Sequence, residues 1–296
     1  MIYAKPRYLP GGDRNIIIEL GDEMSFDLNF LVHSLTASIR REKPKGIIEL
    51  VPCIATIMVS YNPTEIGFET LISTIESIRD NLGDLSSLEL ESRMYYVPIL
   101  YFDPWTEECV ADYCKNLGVE HSDPDVIVEA NDLDDRTTLR RIHASTDYWV
   151  AALGFWPGLC SLMPLNPANQ LIAPKYNPPR ASTPKGAIGL GGAITCLYPD
   201  QTPGGFRIFA RTPMPIWDRL QQLKAFKNSP ALFKPGDRVR FIPIDLDEFK
   251  FIDSQVEDGS YEHPYVDYQR FSLRNYKAWL ADIGKSNQDS EDSGNA

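Results

Sequence analysis

The chain has 296 residues, 43% of them apolar, and carries 41 acidic against 29 basic side chains for a formal net charge of −12. That length holds one large domain or two modest ones, and the apolar share can fill a sizeable core. The acidic balance excludes nucleic acid as the main partner, because phosphate binding needs clustered Lys and Arg.

Residues 14–101 read as an α/β unit. Ile16, Ile17 and Ile18 form a β-branched run closed by Gly21. Over 25–41, Phe26, Leu28, Phe30, Leu31, Leu35 and Ile39 recur near helical period, and Ser25 can cap the start. Residues 46–52 and 56–61 predict a strand pair. Residues 68–82 predict a second helix with Leu71, Ile72, Ile75 and Ile78 on one face, and 93–102 a further strand. This β-α-β-β-α-β order predicts a small antiparallel sheet with both helices on one face.

Two helices are predicted next, over 106–117 and 132–145. The acidic stretch 123–135 reads as solvated loop. From 147 to 243 the pattern changes to short strands with turn signals, which predicts a closed or half-closed β-barrel. The one helical period inside it lies at 215–226. Residues 268–283 predict a helix packed on the barrel, and 284–296, polar and acidic, a disordered tail. The predicted division is 1–103, 104–146, 147–283 and 284–296, and the fold class is α+β.

Cys53, Cys109, Cys114, Cys160 and Cys196 are odd in number and widely spaced, with no CxxC pair, and the four histidines are scattered. This argues against a disulfide framework and a structural zinc site. No basic-then-apolar leader pattern opens the sequence. Gly154, Pro157, Gly158 and Pro164 interrupt the apolar run at 148–165, so it does not read as a membrane span. The expectation is a cytoplasmic protein.

The stretch 153–218 is the most informative. It holds Leu153-Gly154-Phe155-Trp156-Pro157-Gly158, then Pro184-Lys185-Gly186-Ala187-Ile188-Gly189-Leu190-Gly191-Gly192, then Tyr198-Pro199, Pro203-Gly204-Gly205-Phe206 and Arg211-Thr212-Pro213. With Tyr8-Leu9-Pro10-Gly11-Gly12-Asp13 and Pro235-Gly236-Asp237-Arg238-Val239, this order resembles one family over roughly residues 8–250. The family comprises the B subunit of 5-oxoprolinase, also called allophanate hydrolase subunit 1, and the kinase inhibitor KipI; a similar domain occurs in urea carboxylase. The resemblance implies a cyclophilin-like C-terminal barrel and ATP-dependent opening of a lactam. It also implies a homologous partner of the allophanate hydrolase subunit 2 type and, in 5-oxoprolinase, a third component, the A subunit. No P-loop and no GxSxG elbow is present, so ATP would bind unconventionally or on a partner.

Several residues match the family's pattern. Arg180 follows the Pro-x-x-x-x-Pro segment and suits a carboxylate or phosphate, or forms a surface ion pair. Arg211 stands in Arg-Thr-Pro, as an anion ligand or as a clamp on barrel carbonyls. His143 matches a histidine placed to shuttle protons or to cap a helix end. The turns at Gly191, Gly192, Gly204 and Gly205 could present N–H groups to an anion, or simply turn barrel corners. Phe155 and Gly158 in the first cluster, Thr195 after the second, and Tyr198 complete the candidate set; Phe155 and Trp156 read as pocket wall or core.

The chain departs from the family at Ile194, where a Gln is common, at Lys175 in place of Arg, at Ala210 in place of Gly, and at Phe102-Asp103-Pro104 in place of Gly-Gly-Glu. These changes point to another cyclic amide or ureido substrate, or to lost activity. Two alternatives stand beside the hydrolase: a non-catalytic kinase inhibitor, and a carboxyltransferase module whose biotin comes from another protein, since no Met-Lys-Met segment is present.

Overall fold

Alternation at 15–20 and 56–61 builds the buried face of the first sheet. Strands β1 (Ile2–Pro10), β2 (Asn15–Gly21), β3 (Ile47–Pro52) and β4 (Thr56–Tyr61) associate in the order β1-β2-β4-β3, every pair antiparallel. Ile16, Ile18, Ile57 and Val59 fall on one face and are wholly buried. Helix α1 (Phe26–Glu42) starts on Ser25, whose hydroxyl accepts the Leu28 N–H at 3.3 Å. Together with α2 (Phe68–Asp80) it covers that face, with Leu28, Val32 and Leu35 against Leu71, Ile75 and Ile78. Each fully buried side chain of this kind contributes about 1.5–3 kcal/mol.

The structure, a computed structural model, describes residues 1–294. It divides into one unit of 1–92 with the segment from 268 onward, and a second of 93–267. The expected β-α-β-β-α-β order is present in sequence, but its last strand, β5 (Glu89–Tyr101), joins the other sheet, and the N-terminal β1 takes the edge. The cause is in β5 itself. Its core half is buried almost continuously (Met94, Tyr95, Val97, Pro98, Ile99), as a strand covered on both faces must be.

The second sheet uses β5, β6 (Asp147–Leu153), β7 (Cys160–Pro164), β9 (Ala187–Gly191), β10 (Ile194–Leu197), β12 (Arg207–Arg211), β13 (Arg238–Pro243) and β14 (Tyr265–Ser272). Its order is β12-β9-β10-β7-β6-β13-β5-β14, and β12 also pairs with β5, so seven strands close on themselves. Only β13 with β5 is parallel among the registers described. A separate ribbon joins β8 (Arg180–Thr183) to β11 (Thr202–Gly204).

Helices α3 (Pro104–Leu117), α4 (Asp123–Ala130), α5 (Arg136–Ala144) and α6 (Leu246–Glu257) belong to this second unit. The helix expected at 215–226 is instead irregular, with a 3-10 turn at Lys224–Phe226. The Asp218 carboxylate explains this: it accepts the N–H groups of Leu220, Gln222 and Leu223 and so closes a turn. The helix expected over 268–283 opens as strand β14, and α7 (Leu273–Gly294) follows it. It runs through positions expected to be disordered from 284; residues 295 and 296 lie outside the described residues. No helix among the described residues is long and apolar enough to cross a membrane.

Candidate functional site

A cleft of about 770 Å³ opens between helix α3 and the β8–β11 ribbon. Helix α3 is started by Pro104 at its first turn and by Asp103, whose carboxylate accepts the Thr106 N–H at 2.9 Å and its hydroxyl at 2.6 Å. It presents Glu108 and Asp112 to the cleft. The facing wall brings Lys185, Asp200 and Arg211, and Arg180 lies at the floor. Three acidic and three basic groups thus face one another, which suits a ligand carrying both an anionic group and N–H donors.

Arg180 is only 1% exposed, and the group beneath it was invisible to sequence reasoning. Asp123, wholly buried at the first turn of α4, lies 3.6 Å from Arg180 Nη1 and 3.2 Å from Arg207 Nη1. It also accepts the Ile208 N–H at 2.8 Å and the Tyr176 hydroxyl. The Tyr176 ring lies under both guanidinium groups, 4.9 Å from Arg180 and 3.8 Å from Arg207. His121 Nε2 is 2.9 Å from Arg207 Nη1 and 2.8 Å from the Tyr176 hydroxyl. Burial, reinforced by the Asp123 carboxylate, pushes the Tyr176 phenol well up, so it stays a donor.

This arrangement leaves Arg180 incompletely satisfied. Nη2 donates to the Phe206 carbonyl at 2.6 Å, while Nε and Nη1 have no hydrogen-bond partner among the described residues. The Thr183 hydroxyl, on the same strand, is buried and unpartnered in the same sense. Such donors are costly to leave unmade. The solvated reading of 123–135 is corrected here: Asp123 is a buried counter-ion to two arginines. Arg207 ends the Pro-Gly-Gly-aromatic-Arg motif, which was the one available signal for this group.

The other expected residues divide. Arg211 reaches the cleft, donates through Nε to the Lys185 carbonyl at 2.8 Å, and lies 4.8 Å over the Trp105 ring. Gly204 pairs with Arg180 across the ribbon, and a Cβ there would come 2.5 Å from Thr183 Oγ1 and 2.6 Å from the Tyr198 hydroxyl oxygen. Tyr198 and Gly204 therefore pack together behind Arg180, and the Gly205 carbonyl accepts the Tyr176 N–H at 2.7 Å. Gly191 is filled by the Phe206 ring, 2.4 Å from an added Cβ, and the Gly192 N–H is taken by the Ala173 carbonyl at 2.8 Å. The turn at Gly191 and Gly192 is therefore a packed barrel corner, the second of the two readings of these glycines.

His143 is brought elsewhere. Its ring is fully buried, 4.7 Å from Phe241 and near-parallel to it, with Nδ1 2.7 Å from the Tyr101 hydroxyl. Burial pushes the imidazole down to about 3. The Tyr148 hydroxyl bonds to the His143 carbonyl at 3.2 Å and to the Thr195 side chain, so His143 and Thr195 belong to one interior group away from the cleft lining. A proton shuttle needs access to a reacting atom, so that expectation is corrected. For Phe155 and Trp156 the core alternative is corrected. Phe155 is 73% exposed at a φ of 70°, Trp156 is 38% exposed, and neither fills core. Gly158 in the same loop, at a φ of 78°, backs onto Trp217. Cys109 lines the cleft, but burial raises its thiol, which disfavours the nucleophilic thiolate.

The fold and the residues match known proteins. Residues 6–226 match the model for the carboxyltransferase domain, subdomain C and D. Urea amidolyase of Lachancea kluyveri is 27% identical over 282 residues, which cover 93% of this chain and 15% of that protein. The B subunit of 5-oxoprolinase from Bacillus subtilis is 26% identical over 244 residues, covering 79% of this chain and 90% of that protein. The crystal structure of Kluyveromyces lactis urea carboxylase superposes on 97% of this chain, and on 26% of its own, with a TM-score of 0.84 at 24% identity; it shares the mixed α+β fold. The chain spans about 15% of the length of the urea amidolyases it matches. With that family model covering most of its length, the chain belongs to the family of the carboxyltransferase domain, subdomain C and D.

Proposed function

We propose that this chain is one component of a heteromeric, ATP-dependent enzyme that opens a C–N bond in a cyclic amide or ureido substrate, a lactam such as 5-oxoproline being the reference, and that it acts with a homologous second subunit. The observation that carries the reading is the Arg180 guanidinium at the cleft floor, whose Nε has no hydrogen-bond partner among the described residues and whose Nη1 lies 3.6 Å from Asp123 without a hydrogen bond. Attack on an amide carbonyl puts charge on its oxygen, and donors fixed beforehand in a dry site stabilise that charge most. Asp123 and the Phe206 carbonyl fix Arg180 from behind. Lys185 and Arg211 would attract a substrate carboxylate, and Glu108, Asp112 and Asp200 its N–H groups. Family membership supports the reading, as does the relative named as the B subunit of 5-oxoprolinase.

ATP, when bound to such an enzyme, supplies activation of the carbonyl oxygen. The turn at Gly191 and Gly192 does not fit a triphosphate, because the Phe206 ring fills it and the Ala173 carbonyl takes the Gly192 N–H. We therefore assign nucleotide binding to the partner chains, the third component of the A type included. The seven-strand ring is, on the same reading, the family's cyclophilin-like barrel, and five free cysteines suit a cytoplasmic setting.

The test is co-expression with a homologous second subunit, purification by a tag on this chain, and phosphate release from ATP across lactams, hydantoins and ureas. Substrate-stimulated release is expected, falling about 10²–10³-fold in Arg180→Ala. Turnover that survives this substitution in a folded complex removes the cleft from the reaction, and no release with any substrate removes the hydrolase.

One observation favours a second reading, a biotin-linked carboxyltransferase module of the urea carboxylase type. The match to urea amidolyase covers 93% of the chain, against 79% for the B subunit of 5-oxoprolinase. Transfer of labelled carboxylate from a biotinylated carrier protein to urea, in the absence of lactam turnover, would decide for it.

A further inference from the structure

A second concavity, of about 410 Å³, shares no wall residue with the cleft. Nine of its thirteen wall residues lie beyond residue 226, where the match to the family model ends. Its wall carries three basic side chains, Arg93, Lys224 and Lys234, against Glu262 and the Asp237 carboxylate that holds Arg93 from behind, a local excess of one positive charge. In a chain of net charge −12 that is a local reversal of sign.

The rest of the wall is aromatic. Tyr95 and Tyr265 stack at 5.2 Å and 20°, and Tyr261 stands edge-on to His263 at 5.1 Å. The Arg93 guanidinium lies 5.1 Å over the Tyr95 ring and is held by Asp237 and by the Leu232 carbonyl at 3.1 Å, so this wall is built rather than mobile. Lys224 stands at the rim. Its contact with Glu262, at 3.2 Å, joins two side chains that are 78% and 77% exposed. Exposed pairs of this kind hold weakly, so an incoming anion can displace Glu262 from the ammonium.

We propose that this concavity binds a small planar anion, an aromatic or heteroaromatic ring bearing a carboxylate or phosphate. The ring would lie against Tyr261 and Tyr265, and the acid would meet Lys224 and Lys234. The volume falls in the range of small-molecule sites. The inference stands apart from the proposed reaction in the cleft.

The test is calorimetric titration of the full chain with adenosine monophosphate and, separately, with benzoate, which distinguish a phosphate from a carboxylate ligand. Saturable binding of at least one probe is expected. It should weaken about tenfold or more in Lys224→Glu, a substitution too exposed to disturb folding, and equally when adenosine or benzamide replaces the acid. Lys185→Ala, in the cleft, should leave it unchanged. The proposal fails if neither probe saturates, if Lys224→Glu binds as well as wild type, or if Lys185→Ala abolishes binding.

Discussion

At the scale of single residues, packing decides what the glycines do. A Cβ at Gly191 would come 2.4 Å from the Phe206 ring, whereas at Gly205 the nearest atom is 3.5 Å away. Gly191→Ala is expected to cost about 1–3 kcal/mol in urea unfolding, and Gly205→Ala to stay within about 1 kcal/mol of wild type. Equal losses at both would mean that backbone freedom, not Phe206, requires glycine. His143 makes a prediction about pH. Its folded pKa, about 3, lies below the ordinary 6.5, so between those values the unfolded chain binds the proton and the folded one does not. Stability is therefore full above pH 6.5 and falls as the pH drops toward 3, with a limiting slope of about 1.4 kcal/mol per pH unit. His263, lowered by burial, adds in the same sense. Unfolding free energies from pH 7 to 4 should show a shallower fall in His143→Phe; an unchanged slope would exclude His143 as its source.

Among the elements, those with local signals were legible and those held by distant partners were not. Ser25 and the apolar period located α1 to within a residue, and the alternation at 56–61 located β4, because caps and periodicity are written in neighbouring residues. Helix α3 begins two residues before its predicted start, because the Asp103 carboxylate caps it and Pro104 opens its first turn. Asp103→Ala is expected to cost about 1–2 kcal/mol and to fray the first turn of the cleft wall, read as lost hydrogen-exchange protection near Thr106. Asp103→Asn, which keeps the acceptor, should recover most of it. The stretch 215–226 failed for the converse reason: its apolar spacing is helical, but one side chain, Asp218, captures three backbone donors and ends the helix before it forms.

For the whole molecule, the division into two units has a consequence for truncation. The first unit is discontinuous in sequence and includes the segment from 268 onward. Within it Tyr276 packs on Phe26 with ring centroids 4.5 Å apart, Leu273 is fully buried, and Lys277 reaches Asp27 at 2.6 Å. Ending the chain after Asp267 is therefore expected to lower amide protection in α1 by at least about tenfold, from roughly 2–5 kcal/mol of lost burial at Leu273 and Tyr276, while β9 and β10 keep theirs. Equal losses in both sets would mean that the two units unfold as one.

What the sequence by itself determined is the class and much of the inventory: α+β, a helix-covered sheet followed by short strands, and the ordered glycine–proline motifs that mark the family. Those features depend on residues a few positions apart, where capping, turn chemistry and periodicity operate. Only the tertiary structure decided that β5 leaves the first sheet, that His143 and Thr195 are interior, and that Asp123 holds Arg180 and Arg207 across 57 and 84 positions of chain. A carboxylate among acidic neighbours reads as solvated until its counter-ions are located, because the energy that buries it comes from charges the chain brings together only on folding.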